Sequence, residues 1–120
     1  MSIARYFMDH YDEIIHRGHL RHLPAGSYWE DTSTPPDEYQ NGGFWAAPMG
    51  WVAYTLNIVD PALADHTILE LAGDLHENGV YQCITTGGRG HLPDYTVSAA
   101  LPLHAIRRVL DRREARKLSA

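Results

Sequence analysis

Phe44-Trp45-Ala46-Ala47-Pro48-Met49-Gly50-Trp51-Val52-Ala53-Tyr54-Thr55-Leu56-Asn57-Ile58-Val59 is apolar almost all the way round a helix, broken only by Thr55 and Asn57. A helix without a polar face must be covered by other elements, so the stretch predicts a buried helix over residues 45–58, with Pro48 tolerated in its first turn. Trp51 then belongs to the core. The run stops short of the roughly 20 apolar residues that a bilayer span requires.

Immediately after it, Asp60-Pro61 supplies a capping side chain followed by proline at the first helical position. Ala64, Ile68, Leu71 and Leu75 then recur at helical spacing opposite Asp65, His66, Glu70 and Asp74, and Asn78-Gly79 closes the element. This predicts an amphipathic, half-exposed helix over 61–77. Beyond it, Val80-Tyr81-Gln82-Cys83-Ile84-Thr85-Thr86 is rich in strand formers, and Gly87-Gly88-Arg89-Gly90 separates it from Tyr95-Thr96-Val97, so a small β-hairpin is expected. Ser98 can cap a last helix over 98–115 whose apolar positions include Leu103, Ile106 and Leu110.

On the amino-terminal side, Ser2 can cap a helix with Ile3, Phe7, Tyr11 and Ile14 on one face, running from Ile3 to Arg17 and ended by Gly18. From Gly18 to Gly43 the periodicity vanishes, and Pro24, Gly26, Pro35, Pro36, Gly42 and Gly43 punctuate an irregular loop whose length suggests function. A buried helix, an exposed helix, a structured loop and a further helix make the alternation of inner and outer helices in a helical-hairpin array. The expected fold class is mainly α: helical hairpins of an incomplete α/α toroid in a single domain over 1–120.

Composition narrows the function classes. The 120 residues are 44% hydrophobic, enough for one modest core, and 15 acidic against 10 basic residues give a formal charge of −5. That balance offers no general reason for a nucleic-acid or membrane partner, and neither is expected. Arg107, Arg108, Arg112, Arg113, Arg116 and Lys117 cluster at the end, where they complement the carboxy-terminal dipole of the last helix with Asp111 and Glu114 interleaved. Cys83 is the only cysteine, so no intrachain disulfide forms. The start lacks an apolar stretch of signal-peptide length, and the expected compartment is the cytoplasm.

Glu38-Tyr39-Gln40-Asn41-Gly42-Gly43-Phe44-Trp45-Ala46-Ala47-Pro48 resembles the start of a late inner helix in the six-hairpin glycosidase superfamily, which includes trehalase-like, glucoamylase-like and glycogen-debranching enzymes. Gly79-Val80-Tyr81-Gln82-Cys83 through Asp94-Tyr95-Thr96-Val97-Ser98-Ala99 resembles the loop that leads into the last inner helix of such proteins. The resemblance covers residues 38–104. It implies a ring of six hairpins with substrate held where loops converge, of which this chain holds about two hairpins.

Glycoside hydrolysis needs two carboxyl groups roughly 5 to 10 Å apart across the scissile bond. The resemblance places Gln82 where relatives carry the general base, and an amide cannot take a proton from water. Glu38 is the one catalytic candidate, ahead of the neighbouring Glu30, Asp31 and Asp37. Tyr39, Gln40 and Asn41 combine a flat ring with amide donors and acceptors suited to sugar hydroxyls, although Asn41-Gly42 is also an ordinary turn. Trp29, beside Tyr28, is the best stacking candidate, with Trp45 another. Gln82, His91 and Asp94 complete the expected substrate contacts.

A metal site is not expected, because Gly18 interrupts any common face for His16, His19 and His22 and no His-Glu-x-x-His motif occurs. No cofactor is expected either, and Cys83 reads as packing, not as a nucleophile. The expected function is a fragment of a carbohydrate-active, glycosidase-like protein that carries part of a sugar site and is not hydrolytic alone. The alternative is a non-catalytic helical assembly module. Expected partners are carbohydrate, and either a second copy or the missing toroid hairpins, since the flanks of two hairpins lack cover.

Overall fold

The computed structural model describes residues 2–119. Its elements are α1 (Ile3–Asp9), α2 (Tyr11–Ile14), β1 (Ile15–His16), β2 (His19–Arg21), β3 (Phe44–Trp45), α3 (Met49–Val59), α4 (Pro61–Asn78), β4 (Tyr81–Ile84), β5 (Gly90–Pro93) and α5 (Val97–Leu118). The strands form one antiparallel sheet in the order β1-β2-β3-β4-β5. The chain is therefore mixed α/β, and the mainly α toroid-hairpin expectation is wrong.

The reasons lie in three places. The first helix ends early: the backbone leaves helical geometry at His10, one further turn follows, and Ile15 is extended at φ −112° and ψ 128°. Ile15 and His16 then pair with Leu20 and His19 across a two-residue turn. Arg17 and Gly18 there have φ of 52° and 71°, the positive pair that a type I′ hairpin requires. Gly18 is thus left-handed as anticipated, but it reverses a strand instead of ending a helix.

Second, α3 starts at Met49, because Pro48 lacks an N–H and its ring clashes with the carbonyl four residues back. Trp45, expected to open the helix, and Phe44 before it instead pair with Leu20 and Arg21, and Phe44 pairs with Ile84. Third, β5 is Gly90–Pro93 and not Tyr95–Val97, so the hairpin is one edge of the full sheet.

The core forms where Ile14 and Ile15 meet Ala46, Met49, Val52 and Leu56 of α3 and its approach, with Ala64 and Leu71 from α4. α5 crosses α3 closely on the other side. A methyl on Gly50 would stand 2.5 Å from the Ala105 side chain and 3.0 Å from Pro102 Cα, so the missing side chain permits this approach. Polar ties fix the far end, where Arg113 donates to Asp65 at 2.6 Å and to Asn57 at 2.7 Å, while Arg112 donates to the Tyr54 hydroxyl at 2.6 Å. Two of the clustered arginines thus knit helices together.

α3 is not covered all round. Trp51 is 62% exposed and Ile58 58% exposed, so Trp51 is not core, and Val59 is open as well. Apolar composition did not guarantee burial, because a small domain has too few neighbours to enclose a helix.

Candidate functional site

The sequence Pro35-Pro36-Asp37-Glu38-Tyr39-Gln40-Asn41-Gly42-Gly43 folds into a tight double turn that ends at β3. Asn41 N–H donates to the Glu38 carbonyl at 2.8 Å, Asp37 N–H to the Asn41 carbonyl at 2.9 Å, and Gly43 N–H to the Tyr39 carbonyl at 2.9 Å. Gly43 must be glycine for this, since a methyl there would lie 2.6 Å from the Tyr39 carbonyl oxygen. Asp37 and Tyr39 sit at φ of 64° and 41°, on either side of Glu38. A bulky aromatic with positive φ is an outlier of the kind that clusters where a loop presents functional side chains.

Glu38 and Tyr39 are thereby aimed at the tip of the β4–β5 hairpin. The Arg89 guanidinium donates to the Glu38 carboxylate at 2.6 Å, and the Tyr39 ring lies 5.4 Å from His91 and 5.2 Å from Trp45. Glu38, Tyr39, Arg89 and His91, together with Ser33, Thr34, Pro35, Thr85 and Gly90, line a cleft of about 320 Å³. A second cleft of about 440 Å³ opens beside it, lined by Gly26, Tyr28, Trp29, Glu30, Thr32 and Pro36, and it shares Ser33, Thr34 and Pro35 with the first.

The loop walls are held by two buried polar groups. Asn41, fully buried, accepts from Trp29 N–H at 2.7 Å and donates to the carbonyls of Thr34 at 2.9 Å and Trp29 at 3.3 Å. Arg21, tucked against the Phe44 ring at 5.4 Å, pairs with Asp37, and both it and Asp37 bond the Tyr28 hydroxyl.

Of the residues singled out from sequence, Glu38, Tyr39 and His91 converge on one cleft, and Trp29 lines its neighbour. Of the remaining candidates only Glu30 lines a wall, that of the second cleft. Asn41 is a scaffold whose amide is fully used by the loop backbone. Trp45 donates its indole N–H to the Tyr39 carbonyl at 3.3 Å and supports the ring of Tyr39 from behind. Gln40 is exposed outside both clefts. Alternation along β4 turns Gln82 away from Cys83, whose thiol meets the Tyr39 backbone, so Gln82 is off the cleft. Asp94 is exposed at φ 58° after β5 and does not join His91 in the cleft.

Arg89, Ser33, Thr34 and Thr85 were missed. Arg89 sits among glycines at a hairpin tip, and nothing local signals a partner 51 residues away.

A single carboxylate lines the first cleft, and Arg89 already neutralises it. Burial pushes the Cys83 thiol up to about 11, with a hydrogen bond from the Tyr39 backbone only partly opposing this, so at neutral pH it is protonated and a poor nucleophile. His16, His19 and His22 diverge: His16 packs on Phe44, His19 faces Asp74, and His22 lies between Trp29 and Trp45. Among the described residues, no group of three or more histidine, cysteine or acidic side chains is placed to hold a metal ion, and no helix is long and apolar enough to cross a membrane.

No protein-family model, curated protein or solved structure matches the chain.

Proposed function

We propose that the chain binds carbohydrate in the Glu38–Tyr39–His91 cleft and does not hydrolyse glycosides by itself. The observation that carries this reading is the lining. Tyr39 and His91 offer flat rings, while Ser33, Thr34, Thr85, Glu38 and Arg89 offer hydroxyls, a carboxylate and a guanidinium on the same walls. Sugars ask for that combination, since a pyranose has an apolar face and a rim of hydroxyls that both donate and accept. The motif resemblance of residues 38–48 to six-hairpin glycosidases favours the same ligand class, although the toroid fold is not retained.

Catalysis is disfavoured by the charge inventory. Hydrolysis needs one carboxyl to protonate the leaving group and another to activate water or attack carbon. Glu38 stands without a second carboxylate in its cleft, and its carboxylate is already engaged by the Arg89 guanidinium.

A glycan array followed by calorimetric titration of the strongest ligand tests the reading. Tyr39→Ala is expected to weaken binding roughly tenfold, equivalent to about 1.4 kcal/mol. Aryl glycosides, trehalose and maltose are expected to show no turnover. Turnover that disappears in Glu38→Gln would refute the non-hydrolytic reading, and an array without hits would refute carbohydrate binding.

A second reading, an assembly module, is favoured by the surface. The accessible area is 7317 Å², against roughly 6,500 Å² for a compact monomer of this mass. Its radius of gyration is 15.0 Å, against about 13.6 Å for a compact domain of this length. The excess area goes with exposed Trp51, Ile58 and Leu101 and with an apolar groove of about 240 Å³ between α4 and α5, lined by Leu75, Leu103 and Ile106. Self-association at micromolar concentration is therefore expected in light scattering. A sharp monomer whose thermal unfolding is independent of concentration would count against this module reading.

A further inference from the structure

We propose that the two clefts act as adjoining subsites for one extended oligosaccharide, so that the ligand is a chain of sugars and not a single ring or a chain end alone. The inference rests on the carbohydrate reading of the first cleft and adds the second. Its basis is the shared wall: Ser33, Thr34 and Pro35 border both clefts, so a molecule lying across this rim touches both without leaving the surface. Both clefts are open to solvent along the loop, which suits a polymer that enters from the side.

Each half supplies its own ring platform. Tyr39 serves the first, and Trp29, 49% exposed and braced edge to face by His22 at 5.9 Å, serves the second. The shared rim adds hydroxyl groups from Ser33 and Thr34 between the platforms.

One buried side chain sets the spacing. Asn41 accepts from Trp29 N–H and donates to the Trp29 and Thr34 carbonyls, which locks the second platform to the rim. The same turn projects Tyr39, two residues earlier. Platform, rim and platform are thus held by a single hydrogen-bonded unit, which fixes a register between neighbouring sugar rings.

Titration calorimetry with malto- and cello-oligosaccharides of increasing length decides the matter. In the series that binds, affinity is expected to rise on the order of tenfold or more between the single sugar and the longer chains, because the second ring binds as an intramolecular event. Trp29→Ala, whose backbone bonds to Asn41 survive the substitution, should abolish that rise, bringing the longer chains down to about the affinity of the single sugar. Tyr39→Ala should weaken every length. Equal affinity for the single sugar and the longer chains, or a uniform loss in Trp29→Ala, would overturn the two-subsite inference and leave the first cleft standing. No binding of either series by the wild-type chain would overturn both.

Discussion

Gly18→Ala is expected to lower stability by about 3 kcal/mol, which for a domain of this size moves Tm by roughly 12 °C. Two effects add. Gly18 has φ of 71°, and an L side chain in the left-handed region costs roughly 1 to 2 kcal/mol. In addition, a methyl at that position would land on the backbone nitrogen and Cα of Leu71, in the middle of α4. Backbone cannot rotate away as a side chain does, so the β1–β2 turn would have to lift off the helix, an overpacking cost of about 1 to 3 kcal/mol. Gly26→Ala separates the two effects, since Gly26 has φ of 80° with nothing within 4 Å of the added methyl. That variant should show only the smaller, conformational loss. Equal Tm shifts for the two variants, read by circular dichroism, would show that the turn does not seat on α4 as described.

The second large effect is expected at Asp74. Its carboxylate, 4% exposed, accepts from Arg17 of the β1–β2 turn and from Asn78 at 3.0 Å, and Arg17 reaches on to the Gly88 carbonyl at 3.1 Å. One buried pair thereby joins the turn, α4 and the β4–β5 hairpin whose tip carries Arg89. Removing one partner of a buried pair costs about 3 to 5 kcal/mol, because the remaining charge is left without compensation. Arg17 is 27% exposed and can partly rehydrate, so the lower end, about 3 kcal/mol, is expected for Asp74→Ala. Chemical denaturation measures this. Arg17→Met should cost at least as much, since it strands the more deeply buried Asp74 carboxylate with Asn78 as its remaining donor.

His19 gives the cluster a pH response. Burial lowers its pKa from 6.5, and its hydrogen bond to the Arg17 carbonyl and the Asp74 carboxylate, 3.8 Å away, offset only part of that. A depressed folded-state pKa means the unfolded chain binds the proton more readily. The His19 contribution is complete above the unfolded value of about 6.5 and is lost as pH falls through the folded value. Stability should therefore decline on acidification below neutrality, and His19→Phe should flatten this part of the profile.

Several elements were legible because their determinants are local. Asp60 accepts from Leu63 N–H at 3.0 Å with Pro61 at the first helical position, and Ser2 accepts from Arg5 N–H at 3.3 Å. Gly79, at φ 97°, closes α4. Capping is a matter of three or four residues, which a window of sequence contains whole. In the site, Tyr39 and Glu38 were legible as ring and carboxylate in an irregular loop, and Trp29 as an aromatic with little cover. Their convergence with His91 across the sheet was not.

The sheet was hidden for a different reason. Its strands are two to four residues long, too short for an alternating pattern to stand out, and Ile15-His16 and Phe44-Trp45 continue runs that suit a helix equally well. Sequence by itself determined where α4 begins and ends, that Gly18 is left-handed, and that most of residues 18–43, β2 apart, form a loop with Trp29 exposed. Only the tertiary structure decided that Phe44 lies between Arg21 and Ile84, that Glu38 meets Arg89, and that Arg17 meets Asp74. Left-handed turns and caps are set by the conformational energy of a few neighbouring residues. The pairing of Phe44 with Arg21 and Ile84, and ion pairs whose partners lie 51 and 57 residues apart, depend on distant segments whose arrival is paid for in loop entropy and decided by the packing of the whole chain.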